Sequence, residues 1–159
     1  MNDFGPFRLI DRIVEYRRGE HIATVTDLAA RNVLTRTYST ESLLVEIAAQ
    51  TCGLMNRLAL EDAKDCFLGK VKSMSFHTIP EALSKVLATA RPVMESKGLT
   101  LYEGNLAEHD SGKMLAEFEI LICTTESLDV KTDDERSEYW RRYLNRLTSE
   151  FESRQGMRL

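Results

Sequence analysis

The sequence lacks most of the features that would assign it quickly. No apolar run approaches the length of a membrane-spanning helix. The opening Met1-Asn-Asp-Phe-Gly-Pro6 has neither a basic start nor an apolar stretch, so no secretory signal is expected and a cytoplasmic location is the default. There is no basic excess: with 21 Lys and Arg against 25 Asp and Glu the formal charge is −4, which argues against a nucleic-acid partner. Three cysteines, Cys52, Cys66 and Cys123, are odd in number and lie far apart in apolar segments, so buried free thiols are expected rather than a disulfide framework. No cluster of His, Cys and carboxylate residues has metal-ligand spacing, and no glycine-rich loop could cradle a phosphate. Neither a metal nor another cofactor is expected. Internal repeats and low-complexity stretches are also missing.

What is present is the material of a globular domain. The 159 residues are 43% hydrophobic and 29% charged, enough for one sizeable core and a terminal appendage. The stretch Glu41-Ser-Leu-Leu-Val-Glu46-Ile-Ala-Ala-Gln50-Thr-Cys-Gly53-Leu-Met55 reads as a helix that is apolar nearly all round, which predicts burial. Ser39 or Thr40 can cap it. Glu46 and Gln50 share a face at i, i+4, and Ala49 and Gly53 lie on the same face. A carboxylate is costly to bury without a purpose or a partner. Glu46 is therefore the leading candidate catalytic residue.

Around this helix the pattern is that of strands. Phe7–Tyr16 and His21–Leu28 suggest a hairpin turning at Gly19, and Ala29–Tyr38 reads as a loop. After the helix come four candidates: Cys66–Phe76, Leu83–Met94, Leu99–Ala107 and Met114–Cys123. Pro92 calls for a bulge or an edge position, and Gly112 suits the positive φ of a hairpin loop. This is an α+β chain with helix and sheet segregated. Thr132 and Glu135 form a capping box ahead of a last helix, whose Tyr139, Trp140, Tyr143, Leu144, Leu147 and Phe151 recur at helical spacing. That stripe either packs on its own domain or docks a partner. A core domain over 1–125 and a helical extension over 126–159 are expected.

The residues also resemble a known family. Gly5-Pro-Phe-Arg-Leu-Ile-Asp-Arg-Ile-Val-Glu15 looks like the opening strand of the 3-hydroxyacyl-(acyl carrier protein) dehydratases. Leu43-Leu-Val-Glu46-Ile-Ala-Ala-Gln50 is similar to their central-helix motif, and Phe67–Phe76 to the strand that follows it. The resemblance implies a hotdog fold, a curved antiparallel sheet wrapped around one long central helix. It implies a homodimer or larger assembly with acyl tunnels at its interface, and a thioester substrate carried on coenzyme A or acyl carrier protein. It also makes Gln50, Ala49, Gly53 and Phe76 candidates for substrate contact. The departure is equally clear. The family carries a histidine loop before the central helix, and counting back from Glu46 puts Asn32 where its catalytic histidine stands. Asparagine is no general base, and losing one costs a factor of about a hundred to ten thousand. Asn32, Tyr38 and His77 are possible auxiliary residues.

Three readings follow. The first is a dehydratase-like protein, impaired or completed by a histidine-bearing partner subunit. The second is a thioesterase in which Glu46 activates water. The third is a non-catalytic acyl-binding or scaffolding protein.

Overall fold

A computed structural model of the chain describes residues 8–59, 65–125 and 134–155. Strands β1 (Arg12–Arg17) and β2 (His21–Asp27) form the expected hairpin. A short helix, α1 (Asn32–Thr37), leads into the central helix α2 (Thr40–Ala59). Strands β3 (Asp65–Phe76), β4 (Lys85–Ser96), β5 (Leu99–Glu108) and β6 (Met114–Thr125) follow, then helix α3 (Asp134–Gln155). The six strands make one antiparallel sheet in the order β1-β2-β4-β5-β6-β3.

Alternation along the strands decides which face is covered. Thr24, Ala88, Leu106 and Ala116 are paired across the sheet and all are buried. Their face packs on α2, which buries Leu43, Leu44, Ile47, Ala48, Cys52 and Met55 in one continuous core. Polar latches fix the helix in this seat. The Thr24 and Thr51 hydroxyls meet at 2.8 Å, and the Tyr102 hydroxyl donates to Asn56 Oδ1 at 2.9 Å. Both pairs are satisfied inside the core, where an unpaired polar group would be costly.

Close approach inside the sheet requires Gly104. A Cβ there would run into the Thr89 carbonyl oxygen and the Phe118 ring. Pro92 lies at a register shift in the β4–β5 ladder, and the β2–β4 pairing stops at Ala90, so the proline meets the sheet as both bulge and edge. Gly112 has φ of 71°, as its hairpin loop demands.

Two expectations need correction. Residues 29–38 are not wholly a loop, because Asn32–Thr37 forms α1. Its single buried side chain, Leu34, anchors it, and the Thr37 hydroxyl turns back onto the Val33 carbonyl at 2.7 Å. Nor is α2 buried all round: Glu46 is exposed and Gln50 half-buried, because no described element covers that face completely. The capping box at Thr132 lies outside the described residues. Helix α3 packs beside β1, with Tyr143, Leu147 and Phe151 buried in the same core as α2. The Tyr143, Leu144, Leu147 and Phe151 part of the stripe thus packs on its own domain.

Candidate functional site

Ser39 caps helix α2, its hydroxyl accepting the Ser42 N–H at 3.2 Å. From that start the helical repeat carries Glu46, Ala49, Gln50, Gly53 and Arg57 down one flank. With Ala49 and Gly53 so small, the flank is hollow. It forms one wall of a cavity of about 180 Å³, closed by Arg8 and Ile10 from the N-terminal segment. Cys66, Phe67 and Leu68 of β3 and Tyr143 of α3 complete its outline.

Glu46 is held by an ordered relay. The Leu9 backbone N–H donates to Gln50 Oε1 at 2.9 Å, and Gln50 Nε2 donates to Glu46 Oε1 at 2.7 Å. The first bond fixes the second. A backbone N–H can only donate, so the amide must turn its oxygen to Leu9 and its NH₂ to the carboxylate. Residues 8–11 are pinned in turn by Arg31, which reaches Asp11 Oδ1 at 2.7 Å, Asp11 Oδ2 at 2.9 Å and the Arg8 carbonyl at 3.0 Å. The Tyr143 hydroxyl donates to the Ile10 carbonyl at 2.8 Å. Arg8 also lies 5.9 Å from the centre of the Tyr143 ring, within reach of a cation–π contact.

The structure brings together Glu46, Ala49, Gln50 and Gly53. It does not bring Phe76, Asn32, Tyr38 or His77 to that cavity. Phe76 ends β3 opposite Ala116, and Asn32 and Tyr38 are exposed at either end of α1. His77 lies 3.1 Å from Glu117, on the sheet face turned away from α2. A wider groove of about 600 Å³ occupies that face, and its charges pair locally, Arg91 with Glu103 and Lys72 with Glu119. None of the described histidines lines the Glu46 cavity. Among the described residues no group of side chains could hold a metal ion, and no helix is long and apolar enough to cross a membrane.

Sequence reading missed Arg8, Arg57 and Tyr143 as site residues. Arg57 was open to it, since it continues the flank at i+11 from Glu46. Tyr143 and Arg8 reach the cavity through tertiary packing, which no local spacing reveals.

Neither a protein-family model nor a curated protein sequence matches the chain. Solved structures do. A thioesterase from Haemophilus influenzae superposes with a TM-score of 0.61 at 14% identity, covering 75% of this chain and 80% of its own. A Streptococcus mutans protein bound to acetyl-CoA gives a TM-score of 0.59 at 11% identity, over 79% and 95%. A hypothetical thioesterase from Streptococcus pneumoniae, solved with coenzyme A, gives 0.54 at 13%, over 72% and 84%. At such identities the likeness establishes the fold. The chain has the hotdog fold.

Proposed function

We propose that the protein is an acyl-thioester hydrolase in which Glu46 activates water. The carrying observation is the relay from Leu9 through Gln50 to Glu46, which holds the carboxylate as an acceptor beside an open cavity. A carboxylate that meets a fixed donor on one oxygen keeps the other for water. That oxygen takes a proton as the hydroxide attacks the thioester carbon. Collapse of the tetrahedral intermediate breaks the C–S bond, and the proton held by Glu46 leaves with the thiolate, giving a carboxylic acid and a free thiol.

This reading needs no histidine, which suits a cavity lined by none of the described ones. Dehydration of a 3-hydroxyacyl thioester would need a base at the α-carbon in addition to Glu46. Asn32 is exposed outside the cavity, so the dehydratase reading is the weaker of the two. Arg8 and Arg57 add cationic lining beside Glu46, which favours a carrier arm bearing phosphate, as in coenzyme A. The coenzyme A ligands of the two streptococcal neighbours support that class of substrate.

The test is release of free thiol from a panel of acyl-CoA thioesters by the wild type and by Glu46→Gln. The substitution keeps the shape and removes the basicity, and the expected loss is about a hundred- to ten-thousand-fold. Unchanged release by Glu46→Gln would remove Glu46 from the chemistry.

A further inference from the structure

We propose that helix α3 sets the orientation of the Glu46 carboxylate, with Tyr143 as its positioning residue. The inference rests on the reading of Glu46 as the group that activates water. The geometry is a continuous chain of contacts. Tyr143 grips the Ile10 carbonyl at 2.8 Å, its neighbour Leu9 donates to Gln50 at 2.9 Å, and Gln50 donates to Glu46 at 2.7 Å. Tyr143 is 2% exposed, so its hydroxyl bond is shielded from competing water.

The weak point of such a relay is the amide of Gln50. The last torsion of a glutamine side chain is broad and roughly two-fold, so nothing internal to the residue decides which way the amide faces. Were it to flip, its oxygen would face the carboxylate, oxygen against oxygen, and the acceptor would be pushed away. The Leu9 N–H prevents the flip, and it can do so only while the segment 8–11 stays in register with α2. Arg31 holds the two ends of that segment, at the Arg8 carbonyl and the Asp11 carboxylate. Tyr143 holds its middle, next to the residue that does the work. Leu147 and Phe151, buried lower on α3, seat the helix. The last helix is therefore part of the site, although it supplies no group to the reaction.

The test is a double-mutant cycle. Tyr143→Phe removes one oxygen and keeps the ring. The expected result is a fall in kcat of about tenfold, as misplacement of a reacting group costs, with KM changed less than about twofold. In a Gln50→Ala background the same substitution changes kcat no further, because the link it acts through is gone. Gly104→Ala, inside the sheet and outside this chain of contacts, also lowers the melting temperature, yet leaves kcat unchanged at an assay temperature below both transitions. A readout independent of turnover comes from NMR of the Gln50 side-chain NH₂. Its two proton signals are sharp and displaced from those of an exposed glutamine in the wild type, and both broaden and move toward the exposed position in Tyr143→Phe. Equal losses of kcat with and without Gln50, or unchanged Gln50 signals in Tyr143→Phe, would overturn the inference. A wild type that releases no thiol defeats the hydrolase reading, and the NMR result still decides the relay.

Discussion

Burial controls the ionisation of several side chains here. It pushes the hydroxyls of Tyr102 and Tyr143 well above their ordinary value, and the thiol of Cys52 likewise. Each group is neutral when protonated, so the folded state keeps its proton at a pH where the unfolded chain releases it. Stability is therefore complete on the acid side of the unfolded values and falls as pH rises beyond them. With ordinary values of about 8.5 for a thiol and about 10 for tyrosine, the melting temperature should decline from roughly pH 9 upward, most steeply beyond roughly pH 10. A melting temperature that stays flat to pH 11 would contradict this placement of the three groups. The residues that face one another on a single helix were legible before the structure. Glu46, Ala49, Gln50 and Gly53 share a flank by periodicity alone, and they line one cavity. The partner that orients Gln50 was not legible. Leu9 is 41 residues away and contributes a backbone N–H, which every residue but proline possesses.

At the scale of elements, strand and helix placement followed from β-branched runs, the i, i+4 repeat and turn glycines. Helix α1 was hidden because its threonines favour local hydroxyl-to-carbonyl bonds over any clear periodicity, and it forms only once Leu34 is buried. The exposure of Glu46 was hidden for a different reason. A helix with apolar residues on most of its circumference reads as buried, and only the placement of the other elements around it shows which flank stays open. Gly104 is the element-scale constraint most open to test. Its missing Cβ lets β4, β5 and the Phe118 ring close up. Gly104→Ala should cost about 1–3 kcal/mol as an overpacked core position, read as a shift in the urea midpoint. A midpoint equal to that of the wild type would mean the sheet yields at this position without strain.

At the scale of the whole molecule, the cavity borders an edge of the sheet. Among the described residues strand β3 is the last in the sheet, paired on one side to β6, and it exposes Phe67 and Leu68 at the Glu46 cavity. An edge strand with exposed large apolar residues is a template for pairing. The assembly proposed is a homodimer that joins β3 to β3, so that a second copy walls the cavity. Sedimentation should report twice the chain mass for the wild type and a monomer for Leu68→Lys, with thiol release lost in parallel. A wild-type monomer that hydrolyses thioesters would refute that arrangement. Whether Glu46 serves as a base toward water is decided with a 3-hydroxyacyl-CoA. Free thiol and the conjugated alkene are followed in the same reaction. Thiol is expected to appear and alkene is not, and Glu46→Gln should stop the thiol. Alkene formed by the wild type while the thioester stays intact would contradict that role.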